Sequence, residues 1–308
     1  MFKRLRMTFW FVAGLSFLLV IFNIINGQDL AVLAPKGSIA RQQADLFKFT
    51  IFLSLVVVVP VFIMLFVFAH KYSDKNKSKS KKYTPDWDSD RRLETIWWGV
   101  PIIIILILSM VTYKTSHSLD PFKPINANKP PLKIQVVALQ WKWLFIYPDQ
   151  NVALLNQLKL PVDVPVDFEI TSDAPMNSFW IPQLGGQIYA MSGMSTQLHL
   201  LPQEIGNYRG SSANLSGKGF AGMNFKTEVI SQDEFDRFVF DTNSAASNLK
   251  DLDEQEYRGL QTPTENVTPL IYRLRETNIY NDSVMKYMMP ANLKNSDHEL
   301  MMRGYNGN

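Results

Sequence analysis

Long uninterrupted apolar runs fill the first third of the chain, and short alternating runs fill the rest. Met7–Ile25, Phe49–Ala69 and Ile96–Tyr113 contain no charged residue. A helix crosses the hydrocarbon of a bilayer with about 20 residues, so the second and third runs predict membrane spans. Pro60 and Pro101 lie inside them. In lipid such prolines are tolerated where neighbouring helices re-satisfy the freed carbonyl, so they predict bends and helices packed against other helices. The first run follows Lys3, Arg4 and Arg6 and is longer than the usual core of a signal peptide. Gly27 offers a small residue for cleavage, but Ile25 does not match a small-x-small site. Residues 1–27 therefore stand as a signal or an anchor segment, with the residues leaning to a retained helix.

Beyond Tyr113 the pattern changes. A proline-rich linker at 114–131 contains Pro121, Pro124, Pro130 and Pro131. Lys133–Tyr147 and Val162–Thr171 are rich in β-branched and aromatic residues. Gln187–Ala190 and Ser195–Leu200 are shorter, and Phe225–Ile230 alternates apolar with polar. Short strands between Pro, Gly, Asn and Asp turns predict an all-β sandwich at 132–243. Ser231, with Glu234 three residues on, predicts a capped helix start. The tail, 244–308, reads as helices and loops with Tyr257, Tyr272, Tyr280 and Tyr287.

Charge sets the topology. The first 113 residues hold 14 basic and 7 acidic side chains, the remainder 17 and 21. A basic stripe on the folded part is what nucleic acid requires, so nucleic acid is excluded as a partner. The connection 70–92 holds Lys71, Lys75, Lys77, Lys79, Lys81, Lys82, Arg91 and Arg92 and should stay cytoplasmic. Residues 28–113 then form a membrane hairpin whose ends face outward, which puts the β domain on the outer side. Membrane lipid is an expected neighbour, and anionic headgroups suit the lysine-rich loop.

The chemistry centres on Tyr208–Phe225. Ser212 and Ser216 stand four apart, Phe220 follows four later and Met223 three after that. These are the offsets of a dinuclear copper centre with two bridging thiolates, a histidine and a methionine. Soft thiolates hold copper, whereas serine hydroxyls are not deprotonated at neutral pH and Phe220 has no donor atom. The chain contains no cysteine. Thiolate copper sites, iron–sulfur clusters, disulfides and cysteine nucleophiles are therefore excluded.

Three motifs in order carry a family resemblance: Glu94-Thr-Ile-Trp97-Trp-Gly-Val-Pro101, Gln140-Trp-Lys-Trp143, and Met176-Asn-Ser-Phe-Trp-Ile-Pro-Gln-Leu-Gly185. With the Ser/Ser/Phe/Met spacing they resemble subunit II of the haem–copper terminal oxidases from about Gly37 onward. Asn177 stands where the cytochrome c branch has a histidine, and Asn214 where it has a carboxylate. The pattern is similar to the quinol-oxidase branch, most closely the bo-type ubiquinol oxidases. Relatives of that type often mature as lipoproteins on an N-terminal cysteine, which this chain lacks.

The resemblance implies a cupredoxin-like fold for the β domain and a short helical C-terminal module. It implies a non-redox subunit of a proton-pumping quinol:oxygen oxidoreductase in a bacterial inner membrane, with the β domain periplasmic. Haems, copper and the ubiquinol site would belong to subunit I, with subunits III and IV as further partners and no cytochrome c. Asn177, Ser212, Ser216, Phe220 and Met223 would mark replaced copper positions, and no cofactor or metal is expected in this chain. The matching glutamate of the family stands at a proton-channel mouth, which makes Glu94 the candidate for proton entry. Without that context Glu94 reads equally as a helix-start carboxylate beside Asp90.

Other residues weigh toward structure. Trp141 and Trp143 read as core packing and Trp97 and Trp98 as interface markers. Met191, Met194 and Met223 read as fillers of a β core, and His199 as a structural histidine. Met285, Met288, Met289, His298, Met301 and Met302 form a weak Cu(I) candidate. Asn214-Leu-Ser and Asn266-Val-Thr match glycosylation acceptors incidentally. Two rival functions stand beside the oxidase subunit: a membrane-tethered copper-handling or assembly protein, and subunit II of a menaquinol oxidase.

Overall fold

The computed structural model describes residues 14, 31–71, 89–127, 129–244, 249–275 and 278–288. The first apolar run (apart from Gly14), the lysines at 75–82, and Met289, His298, Met301 and Met302 lie outside the described residues.

Two long helices contain the other apolar runs: α1, Ser38–Lys71, and α2, Arg91–Ser118. Each exceeds its apolar run because the flanking polar residues contain no breaker. At 1.5 Å per residue both are long enough to span a bilayer. Their apolar side chains are largely exposed, as lipid or partner chains would require. Hydroxyls inside α1 are satisfied within the helix: Thr50 Oγ1 donates to the Leu46 carbonyl and Ser54 Oγ to the Thr50 carbonyl, both at 2.9 Å. Asp90 caps α2, accepting from Arg92 N at 2.9 Å and Leu93 N at 3.2 Å. The helix runs to Ser118, so Lys114–Ser118 belong to it and not to the linker.

The remaining residues form a two-sheet sandwich. Its first ten strands are β1 (Leu132–Leu139), β2 (Lys142–Tyr147), β3 (Val152–Leu155), β4 (Gln157–Pro161), β5 (Val166–Ser172), β6 (Asn177–Trp180), β7 (Ile188–Ala190), β8 (Thr196–Leu200), β9 (Gly206–Ser212) and β10 (Asn224–Ile230). They are followed by α3 (Gln232–Asn243), β11 (Lys250–Leu252), α4 (Glu254–Leu260), β12 (Leu270–Leu274) and α5 (Ile279–Met288). One sheet has the order β11-β12-β3-β2-β1-β5-β8, the other β4-β10-β9-β6-β7. The alternation seen in the sequence directs Ile134, Val136, Phe168 and Phe225 between the sheets. There Phe179 stacks on Phe225 at 5.3 Å between centroids, and Trp143 meets Phe179 edge-on at 5.5 Å.

Lys133–Tyr147 is not one strand but a hairpin. Its register pairs Leu139 with Lys142, leaving Gln140 and Trp141 as a two-residue turn. Trp141 has φ of 65°, a left-handed conformation that bulky residues rarely adopt and that surrounding contacts must impose. The capped helix start appears as expected: Ser231 Oγ accepts from Glu234 N at 3.3 Å, and Glu234 Oε2 accepts from Ser231 N at 3.0 Å.

The C-terminal segment supplies the expected helices, α4 and α5, and also two strands. β12 pairs antiparallel with β3, Ile271 opposite Leu154, and β11 adds beyond it. The segment also covers the outer face of the large sheet. Val137, Leu139, Leu144, Ile146 and Leu155 form a second core with Leu252, Tyr257, Tyr272, Ile279 and Tyr280. The tail is thus part of the sandwich, because a sheet with two apolar faces needs both covered. Residues leading into α1 are bonded to the turn after β6: Lys36 N and Gly37 N donate to the Gln183 carbonyl at 2.7 and 3.1 Å.

Candidate functional site

Strands β6 and β9 bring the replaced copper positions together, with Phe179 paired to Ser212. Ser212 Oγ donates to Asn177 Oδ1 at 3.0 Å, and Asn177 Nδ2 donates to the Pro175 carbonyl at 2.7 Å. Ser216 Oγ lies 4.0 Å from Met223 Sδ. A 3-10 turn, Phe220–Gly222, returns the loop, with Met223 N donating to the Phe220 carbonyl at 3.0 Å and Ser212 N to the Met223 carbonyl at 3.1 Å. Asn177, Ser212, Ser216 and Met223 therefore converge, while Phe220 joins them through its backbone.

This donor set does not fit a thiolate-bridged copper pair. It offers one thioether, two protonated hydroxyls and an amide oxygen already occupied by the Ser212 proton. Asn214 is turned to the neighbouring loop, its Nδ2 donating to the Met176 carbonyl at 3.0 Å. Among the described residues no group of three or more His, Cys, Asp or Glu is placed to hold a metal.

Trp141 lies along the same loop. Its Nε1 donates to the Ser216 carbonyl at 3.1 Å, and a Cβ added at Gly219 would fall 2.4 Å from its ring. Trp143 is fully buried in the core. Both indoles pack, as their structural reading required. His199 is structural too: it is buried, with Nδ1 2.6 Å from Asp167 Oδ1 across the β8–β5 pair.

The three methionines differ. Met223 is buried in the core, as expected of a filler. Met191 is only half-buried and Met194 is 51% exposed. Those two readings are corrected: the turn through Gly193, at φ of 74°, takes the chain outward and Met194 with it.

Glu94 sits half-buried in the first turn of α2, where the helix dipole favours a carboxylate. Among the described residues its side chain has no hydrogen bond or ion pair. Trp97 and Trp98 beside it are 61% and 68% exposed.

Two buried charges escaped the sequence reading. The Asp173 side chain is fully buried. Its Oδ2 accepts from Tyr257 Oη at 2.9 Å and Gln261 Nε2 at 2.8 Å, and its Oδ1 from Lys286 Nζ and Tyr287 Oη, both at 2.7 Å. Burial, then the Asp173 charge, pushes the Tyr257 phenol well above its usual range. Burial by itself lowers the Lys286 pKa, but the Asp173 contact outweighs it and holds the ammonium above the ordinary lysine value. The second charge is Lys142, whose pKa burial lowers. A lysine between two tryptophans that reads as strand is the one sequence signal that pointed to it. Asp173 gave none, because its partners lie more than 80 residues away.

Residues 30–115 match the family model described as cytochrome c oxidase subunit II, transmembrane domain. The chain is 45% identical over 266 residues to ubiquinol oxidase subunit 2 of Acetobacter aceti, covering 86% of this chain and 85% of that one. It is 44% identical over 264 residues to cytochrome bo(3) ubiquinol oxidase subunit 2 of Pseudomonas putida, covering 86% and 82%. Quinol oxidase subunit 2 of Bacillus subtilis is 36% identical over 258 residues, with 84% and 79% covered. Among solved structures, the periplasmic domain of subunit II of cytochrome oxidase of Bradyrhizobium japonicum aligns with 37% of this chain and 94% of its own. That alignment has 23% identity and a TM-score of 0.35.

Proposed function

The chain belongs to the subunit 2 family of quinol oxidases, and we propose that it serves its complex as a scaffold without carrying electrons. Membership makes it part of a quinol:oxygen oxidoreductase, a reading favoured over a copper-handling protein. The observation that carries the electron-free role is the donor set at Asn177, Ser212, Ser216, Phe220 and Met223, which lacks any thiolate or imidazole. On this reading electrons pass from quinol to oxygen within a partner. Subunit I holds the haems, the copper and the ubiquinol site, and subunits III and IV complete the complex.

The family and two helices long and apolar enough to cross a bilayer make this an inner-membrane protein. The basic connection at 70–92 supports a cytoplasmic loop and a periplasmic sandwich. The chain then divides into a segment at 1–27, a membrane hairpin at 28–118, a linker at 119–131 and the periplasmic part. Glu94, at the cytoplasmic start of α2, is assigned to proton entry. An ionisable group without an internal partner at a membrane boundary is suited to collecting protons for the neighbouring subunit.

Purification of the tagged chain in mild detergent tests the proposal. Co-eluting haem protein with quinol-driven oxygen uptake supports it. A chain recovered alone, from membranes that retain quinol oxidase activity, contradicts it.

A further inference from the structure

Three loops meet at the end of the sandwich that holds the replaced copper positions, and the C-terminal segment bonds to all of them. At the β1–β2 turn the Lys142 ammonium donates to the Thr262 carbonyl at 2.7 Å and to Thr264 Oγ1 at 2.5 Å. Thr264 N donates in turn to the Gln140 carbonyl at 3.3 Å. The β5–β6 loop is gripped at Asp173 by Tyr257, Gln261, Lys286 and Tyr287. At the β9–β10 loop Lys218 pairs with Glu265 at 3.2 Å, and a Cβ on Gly222 would fall 2.3 Å from Asn266 Oδ1.

The loops also join one another directly, but through neutral hydrogen bonds: Trp141 Nε1 to the Ser216 carbonyl, Asn214 Nδ2 to the Met176 carbonyl and Asp173 N to the Ala138 carbonyl. Leu215 is 77% exposed, so the β9–β10 loop is not anchored through it by apolar burial. A metal centre cross-links the loops that supply its ligands, and its binding energy becomes folding energy. The neutral Ser212–Asn177 hydrogen bond is a weak replacement. The two buried charges are stronger. Among the described residues, every side-chain hydrogen bond to the Asp173 carboxylate or the Lys142 ammonium comes from the C-terminal segment. Withdrawing that segment would cost both charges every side-chain partner they have among the described residues, and hydrogen bonds to charged groups are the stronger ones.

We propose that residues 254–275 and 278–288 are an internal clamp that holds these three loops in one arrangement, doing with hydrogen bonds and buried charge what coordination does in a metal centre. The clamp rests on the reading that this end of the domain binds no metal. It makes the tail a positioning element for the loop end as well as a cover for the sheet.

Hydrogen–deuterium exchange on the assembled oxidase tests it. In Lys286→Met, amides of 173–177 and 212–223 should exchange about tenfold faster or more, the effect of losing a hydrogen bond to a charged group. Amides of β4 should keep their protection, and Lys286→Arg should restore the loops. A chelator should leave the unsubstituted rates unchanged. Unaltered loop exchange, or an equal rise at β4, overturns the clamp. Where Lys286→Met does not assemble, Tyr287→Phe removes one hydrogen bond and is judged by the same comparison. Copper content, measured on the same samples, tests the metal-free reading separately.

Discussion

The Asp173 carboxylate, fully buried, lies 2.7 Å from the Lys286 ammonium, 113 residues further along the chain. One contact thus joins the end of β5 to the last described helix. Asp173→Ala would leave Lys286, Tyr287 and Gln261 without this acceptor, and Tyr257 with Ser283 Oγ alone at 2.6 Å. All four hydrogen bonds to the carboxylate are lost, while the only charge left behind, Lys286, is about half exposed. The cost should therefore exceed that of one hydrogen bond to a charged group, about 1.5–3 kcal/mol, and the unfolding temperature of the complex should fall. Lys286→Met should cost about 1–3 kcal/mol, because three neutral donors remain on the carboxylate. Calorimetry on the two variants checks the order.

The same contact gives an alkaline limb. The folded Lys286 pKa is raised, so its stabilisation is complete below the ordinary value of 10.5 and is lost as pH rises through the folded value. Glu228 gives the acid limb. Burial raises its pKa, but hydrogen bonds from Lys226 and Lys159 lower it overall. Its contribution is present above the ordinary value of 4.5 and is lost as pH falls through the depressed one. Unfolding temperature against pH should decline on both sides, and Glu228→Gln should flatten the acid side alone.

Gly219 is set by Trp141. An alanine there would place its Cβ 2.4 Å from the indole ring and force the ring or the loop to move. Overpacking of this kind costs about 1–3 kcal/mol, measurable by thermal unfolding. An equivalent change at Gly99, with nothing within 4 Å of its Cβ, should leave the unfolding temperature nearly unchanged.

Glu94→Ala should slow quinol-driven oxygen uptake severalfold and lower proton uptake from the cytoplasmic side, with the complex still assembled. Glu94→Asp, which keeps the carboxylate, should recover most of the rate. Normal oxygen consumption and pumping in Glu94→Ala would remove the proton-entry role.

Restoring donors should restore a site, because the backbone already brings the positions together. Ser212→Cys, Ser216→Cys, Asn177→His and Phe220→His in one chain should bind copper tightly, with a new visible absorption. Any one substitution alone should not.

The sequence showed most of the sandwich where a strand faces the core on one side. Phe225–Ile230 alternates and was legible, as was the Ser231–Glu234 cap. Val152–Leu155 was not, because it is buried on both faces and shows no alternation. Gly206–Ser212 was hidden by glycine and polar residues, and β12 by its dependence on a partner strand over 100 residues away. The copper spacing was readable as a sequence of donors. What the sequence withheld was the tail's grip on Asp173 and Lys142, since long-range pairing leaves no local pattern.

The central claim is that this chain carries no redox metal. Copper analysis with electron paramagnetic resonance on the purified chain, separated from its partners and exchanged into metal-free buffer, addresses it directly. The account predicts copper far below one atom per chain and no mixed-valence signal. Two tightly held copper atoms per chain, with that signal, would contradict it.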